Sequence, residues 1–455
     1  MREDLTKVSP ADNDLVSASA MRTRRVLLLA YFYPPHSNIG SQRAIGLARY
    51  LPEFGWEPTV LTAKLTGNPP PIAHVVQTDY WDITAPFKRT ALASSTGTTR
   101  EGVAQRDSQK GILRKRLRKL IWTWLYFPDP QIGWYLPAIR TATGLVESEP
   151  FDALVSTSSP VTAHLIARAL KRKYPSLIWL ADLRDLWTQN HYYKYGRVRR
   201  FVETWLERRT LSGADCLITV SHPLAVTLRS RYQDKDVRTI TNGFEPNDFC
   251  PNRKKLSSKF TIVYTGNLYH GKRDPTLLFE ALQALLEQQR LERSAVEVQF
   301  YGPECPWLVG LVDKFGFHDI VRLLQRVSRS EALRRQQEAT VLLLVNWNHP
   351  AEAGTYTGKV FEYLGAQRPI VAIGGPKGVL SHLLDHTKAG RHFCQGEREA
   401  LQRHLLDLYA AWRSMGMVPY GGNAQGIGRY TWRNVAQQFA QILDEYTRSE
   451  RSCAS

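Results

Sequence analysis

The residues best suited to handling phosphate lie around position 359. The run Thr357-Gly358-Lys359-Val360-Phe361-Glu362-Tyr363-Leu364 reads as the start of a helix. A helix start leaves backbone N–H groups without partners and carries a partial positive charge, so Thr357, Gly358 and Lys359 suit a diphosphate. The loop from Gly354 to Gly358 lets a phosphate approach the backbone closely, and Lys359 adds a full charge. Glu362 lies one turn on, along the same face. The same spacing would also suit an exposed Lys359–Glu362 ion pair, worth about a few tenths of a kcal/mol. A second group follows the apolar run 260–264: Gly266 in a turn, Asn267, which can hydrogen-bond but carries no charge, and the cation Lys272. Asp182 and Asp185 flank Arg184 after another apolar run, placed either to orient a hydroxyl-bearing substrate or to hold Arg184 in an ion pair. Gly40 sits in the first loop, where it allows a ligand close or simply makes a turn. His164 follows Ser158-Ser159-Pro160 on a helix, and His36 is in the first loop; a lone histidine in such places is more often structural.

Several chemistries are absent. No GxGxxG or GxxxxGK[ST] run occurs, so neither a dinucleotide dehydrogenase nor a P-loop ATPase is supported. No nucleophile–base–orienter set is readable, and no Asp-x-Asp pair closes a strand, so no metal site is expected. The five cysteines are scattered without metal-ligand spacing, which fits a reducing cytoplasm.

The elements that position these residues alternate. Val26–Ala30 is an apolar strand, Ala44, Leu47, Ala48 and Leu51 mark one face of a helix, and Pro58–Thr62 is a second strand. Strand, helix, strand in so short a span implies a parallel βαβ unit. Further strands are expected at 151–156, 178–181 and 216–220, with helices at 163–173 and 201–212. The alternation restarts with strands at 260–264, 296–300, 321–324, 341–345 and 369–373, and helices at 275–289, 331–338 and from Lys359. The chain therefore divides into a disordered tail over 1–22, a first Rossmann-like domain over 23–243, a linker over 244–258, a second domain over 259–427, and a C-terminal segment over 428–455 expected to cross back to the first domain. Residues 64–110 show little periodicity and read as a mobile loop. Ligands of such sheets bind beyond the carboxyl ends of the strands.

The string Thr357–Ile370 resembles the donor-site helix of retaining GT-B enzymes of glycosyltransferase family four. Leu29–Gly40, Ala181–Trp187, Thr241–Phe244 and Tyr264–Leu268 are similar to that family at matching places, so the resemblance spans about residues 25–445. It implies a nucleotide-sugar donor as substrate, a sugar or lipid-linked acceptor, retaining transfer without metal or other cofactor, and a place in polysaccharide or glycolipid biosynthesis. It further implies that Glu362 binds the donor ribose and Lys272 the phosphates, with Gly40, Gly266, Asn267, Thr357, Gly358 and Lys359 around the donor. Catalytic candidates are then Glu362, Asp182, Asp185 and His164, although His164 does not align with the family's cleft histidine. The chain departs from the pattern at Asn267, where the family has arginine, and at Gly354, where it usually has glutamate; Glu352 stands two residues earlier. Either Glu352 reaches in, or the backbone covers that role.

The 60 Lys+Arg against 42 Asp+Glu give a net charge of +18, which favours an anionic partner. In Lys110–Leu125, KGILRKRLRKLIWTWL, an apolar stripe of Leu113, Leu117, Leu120, Ile121 and Trp124 opposes Arg114, Lys115, Arg118 and Lys119. Such a helix suits an anionic membrane surface or packs on its own domain with its basic face in water. No apolar run is long enough to span a bilayer, and the first twenty residues are too polar for a secretory signal. A cytoplasmic protein, peripheral at the inner face of the membrane, is the expectation. A nucleotide-sugar epimerase of similar fold, a non-catalytic membrane-docked protein and a nucleic-acid-binding protein are the alternatives. The last lacks any stacking or zinc-finger pattern.

Overall fold

A computed structural model of the chain describes residues 23–35, 40–65, 67–82, 123–193, 195–250 and 257–454. The tail at 1–22, His36, and residues 110–122 of the basic segment lie outside the described residues; only its end, Thr123–Leu125, lies within them.

Thirteen strands among the described residues form two wholly parallel sheets. The first runs β3-β2-β1-β4-β5-β6-β7, from β1 (Arg24–Leu29), β2 (Trp56–Ala63), β3 (His74–Thr78), β4 (Ala153–Ser158), β5 (Ile178–Leu183), β6 (Cys216–Thr219) and β7 (Asp236–Thr239). The second runs β10-β9-β8-β11-β12-β13, from β8 (Phe260–Thr265), β9 (Val296–Tyr301), β10 (Val321–Leu324), β11 (Val341–Val345), β12 (Ile370–Ile373) and β13 (Gly390–Phe393). Each sheet reverses its order beside its first strand, which is the Rossmann arrangement. The central strands are apolar on both faces because helices cover both. In β1, Leu27 and Leu29 enter one core layer while Val26 and Leu28 enter the other.

In the expected loop over 64–110, the structure contains a strand. His74–Thr78 pairs with β2 at the edge of the first sheet, Val60 opposite Val75. Only two apolar residues and a half-buried surface mark it, too little pattern for a reading by alternation.

Around the first sheet lie α1 (Ser41–Tyr50), α2 (Tyr135–Ser148), α3 (Thr162–Lys173), α4 (Arg197–Leu211) and α5 (His222–Arg231). Around the second lie α6 (Thr276–Glu287), α7 (Pro306–Phe315), α8 (Arg329–Glu338), α9 (Gly358–Ala366), α10 (Val379–Thr387), α11 (Arg398–Met415) and the short α12 (Ala424–Gly428). The last helix, α13 (Trp432–Ala454), packs on α1 and buries Trp432, Val435, Phe439 and Leu443 in the first domain's core. Gly46 on α1 is needed there, because a Cβ would stand 2.8 Å from the Trp432 ring. The chain thus crosses between domains twice, and the crossings touch: Phe244 N–H donates to Tyr430 O at 2.9 Å, and Trp432 N–H to Phe244 O at 3.0 Å.

Candidate functional site

The cleft between the sheets is lined by Arg184, Asp185, Asn242 and Gly243 from the first domain and Arg329, Gly358 and Glu362 from the second. An adjoining pocket reaches from Glu362 past Lys359 to Gly266, Asn267 and Tyr269. Of the sequence candidates of the second domain, Gly266, Asn267, Gly358, Lys359 and Glu362 line these two adjoining pockets, and Lys272 does not.

α9 begins at the cleft. Thr357 is its N-cap and makes no side-chain capping bond, so first-turn N–H groups stay available to an anion. The Lys359 side chain lies across the β8 turn. Gly266 has a φ of 124°, a conformation that favours glycine, and Lys359 Cε lies 2.4 Å from where a Cβ would stand. The Lys359 ammonium sits 5.2 Å from the centroid of the Tyr264 ring. Burial, with repulsion from the Arg273 guanidinium, pushes its pKa down to about 7, against a weaker opposite pull from Glu362.

Arg273 stands beside the site, next to Tyr269 and Lys359, and motif reading passed it over. Tyr269, His270 and Gly271 all adopt positive φ, and the tight turn they make sends two adjacent cations to different places. Lys272 is held 4.2 Å above the Trp347 ring and 5.1 Å from that of Tyr192. Arg273 bridges to Trp347 through its backbone, packs 4.7 Å over Tyr269 and keeps a buried Nε without an acceptor. Its charge faces Lys359, at the place where Asn267 leaves the turn uncharged. Asn267 spends its side-chain oxygen on the Tyr269 N–H at 2.7 Å. Two crowded cations beside a bare helix start make a cavity suited to a diphosphate.

Glu362 does not pair with Lys359. Its carboxylate lies 3.5 Å from Arg329 Nε and accepts from Gln336 Nε2 at 3.5 Å. Burial pushes its pKa up, opposed first by Arg329. Both contacts are long and leave the carboxylate free to take a substrate hydroxyl.

Glu352 does reach inward, but to the other domain. Buried, it accepts the Tyr192 hydroxyl at 2.6 Å and meets His191 Nε2 at 2.8 Å. Gly354 stands beside it, its carbonyl accepting from Ser221 Oγ at 2.6 Å. His191 stacks on Trp347 and His349, so the loop after β5 is fastened over the second domain.

The first domain separates its candidates. Asp182 is fully buried and holds Arg43, not Arg184, in a two-pronged pair at 2.9 and 2.8 Å, with the Thr157 hydroxyl donating at 2.8 Å. Arg43 reaches on to the carbonyls of Ile240 and Thr241. Arg184 is held instead by the carbonyls of Ser158 and Gly40, at 2.5 and 2.8 Å. Gly40 has an ordinary helical φ of −63° at the start of α1. Asp185 lines the cleft and is exposed. His164 is fully buried, its Nδ1 2.7 Å from Ser156 Oγ and its Nε2 without a partner; burial pushes its pKa down to about 4, so it is neutral in ordinary buffers.

Residues 40–248 match the family model described as Glycosyltransferase Family 4, and residues 259–411 the one described as Glycosyl transferases group 1. Among solved structures, the chain is similar to sucrose-phosphate synthase from Thermosynechococcus elongatus, at 15% identity over 94% of this chain and 100% of that one, TM-score 0.57. It is also similar to S. aureus TarM, at 8% identity over 93% and 99%, TM-score 0.59. A third is Anabaena HepE, solved with UDP-glucose, at 14% identity over 92% and 99%, TM-score 0.55. At these identities the likeness is one of fold, and that fold is GT-B. No curated protein matches the chain in sequence.

Proposed function

Because the chain belongs to the family 4, group 1 glycosyltransferases, we propose that it moves a sugar from a nucleoside-diphosphate sugar to a membrane-presented acceptor, with retention and without a metal, in polysaccharide or glycolipid synthesis. The observation that carries this reading is the pair of cations, Lys359 and Arg273, near enough to repel each other at an uncapped helix start. The donor's diphosphate lies there, with Thr357, Gly358 and Gly266 offering close backbone and Glu362 taking the ribose hydroxyls. Lys272, drawn onto Trp347, covers the outer phosphate side.

In the proposed step the bond from the anomeric carbon to the phosphate oxygen breaks, and an acceptor hydroxyl attacks from the same face. Its proton passes to the departing phosphate oxygen. The charge that develops on the diphosphate falls to the two cations and the helix start, which are in place beforehand. Asp185, open to the cleft, orients the acceptor, while Asp182 and His164 support the strand ends from behind.

Glu362→Ala is expected to reduce transfer by about 10- to 150-fold, as loss of a charged hydrogen bond would, and to weaken nucleotide binding while the melting temperature holds. Turnover at the wild-type rate would remove Glu362 from the site. Transfer should also be indifferent to EDTA; activity lost to the chelator and restored by magnesium would overturn the metal-free step. The donor base is found by thermal shift with a panel of nucleotide sugars, since a ligand at 100 times its Kd stabilises by about 2.7 kcal/mol.

A further inference from the structure

α4 is built inside out. Its buried residues are Arg199, Glu203, Glu207, Thr210 and Leu211, four of the five polar. Its outer side carries Val198, Phe201 and Trp205, which are 71%, 78% and 55% exposed. At 100° per residue these three fall within one 60° arc, opposite the buried side. An ordinary surface helix has the reverse arrangement, so apolar exposure here is not what packing left over.

The buried polar side has its own explanation. Arg199 pairs with Glu203 at 2.5 Å and donates to the carbonyls of Tyr126 and Pro128 at 2.9 and 3.0 Å, and to that of Thr123. Glu207 accepts from Thr188 N–H at 3.2 Å. The helix is thus locked in rotation by polar bonds that would be lost if the apolar stripe turned inward.

Arginines surround the stripe. Arg208 and Arg209 continue it, Arg197 borders it, and Arg231 comes from α5 into the groove beside Trp205, which Asp234 also lines, with a buried Nε lacking an acceptor. Arg209 lies 5.2 Å over the Trp205 ring, and it repels Arg168 of α3 and, with Arg172, lowers that group's pKa after burial. Among the described residues none of Arg197, Arg208 or Arg209 has a carboxylate partner.

We propose that this face of α4 seats the first domain on an anionic bilayer, Val198, Phe201 and Trp205 entering the headgroup boundary and the arginines meeting lipid phosphates. An exposed aromatic stripe bordered by unpaired guanidinium groups is complementary to such a surface in both apolar character and charge. A second copy is a poor occupant, since a two-fold contact would set these arginines against themselves. This docking deepens the reading of a membrane-presented acceptor, and its test needs neither donor nor acceptor, so either can fail alone.

The full chain is sedimented with phosphatidylcholine vesicles in which one lipid in three is phosphatidylglycerol, and with pure phosphatidylcholine. Wild type should bind the anionic vesicles and release them in part at high salt. Phe201→Ser with Trp205→Ser should weaken binding at least about tenfold, and Arg208→Gln with Arg209→Gln about thirtyfold. All four side chains face solvent, so both variants should melt with the wild type. A lowered melting temperature would assign the stripe to the core and overturn the proposal. So would absent or charge-independent vesicle binding, binding unchanged in both variants, or a concentration-dependent dimer that the aromatic variant abolishes.

Discussion

Asp182→Ala is expected to remove about 3–5 kcal/mol of stability, the cost of leaving a buried charge without its partner. That is a large fraction of the roughly 5–15 kcal/mol that holds a typical domain together. The stranded group would be Arg43, whose side chain is fully enclosed, 5.0 Å from the Phe439 ring. It also ties β5 to Ile240 and Thr241, where the chain leaves the first domain, so the loss should spread to the cleft. Urea unfolding followed by tryptophan fluorescence reads it directly. Exchanging the pair for apolar side chains, Arg43→Met with Asp182→Leu, should destabilise less than either single change, a coupling that a double-mutant cycle measures. An unchanged urea midpoint together with lost transfer would move Asp182 from support into the reaction itself.

Lys359→Met and Arg273→Met should each weaken nucleoside-diphosphate binding by about 10- to 150-fold, from the roughly 1.5–3 kcal/mol carried by a charged hydrogen bond. The pH dependence separates the two. Lys359 loses its proton near pH 7 when the site is empty, and a bound diphosphate favours the charged form. Affinity should therefore hold below pH 7 and fall as pH rises above it, with a proton taken up on binding near pH 8. Calorimetry in buffers of different ionisation enthalpy counts that proton. In Lys359→Met the uptake should vanish; in Arg273→Met it should shrink, because Lys359 then keeps its proton to higher pH in the empty site. Equal affinity at pH 6 and pH 9 in the wild type would rule out this pair as the phosphate cradle.

The sequence displays the fold wherever burial imposes a period. Apolar runs such as Val26–Ala30 and Val341–Val345 are legible because both faces of a parallel strand are covered. β3 and β7 are not, being short, half-buried edge strands in which polar residues are tolerated. Within the site, Lys359 and Glu362 are legible because one helix carries both at fixed spacing. Arg273 is hidden because its direction depends on three successive positive-φ residues, a property of backbone torsion that residue types only hint at. The Asp182–Arg43 pair spans 139 positions, and nothing local announces it; the adjacent Arg184 is the more obvious partner and the wrong one. α4 is legible as a helix over 201–212, but the side it buries is not. Periodicity tells which residues share a side, and only tertiary contacts tell which side is in.

The contact of α13 with α1 also bears on how the protein is made. Trp432, Val435, Phe439 and Leu443 fill a core layer whose members outside α13 run from Val26 to Ile240, the earliest of them, Val26 to Leu51, leaving the ribosome nearly four hundred residues before Leu443. At about 5–20 residues per second, that half of the molecule waits tens of seconds with an apolar trough open beside β1. The second domain, whose strands and helices lie within residues 260–428, completes itself during the interval. The first domain to emerge is therefore the last to close, and the growing chain must be shielded over that trough until residue 443 is free.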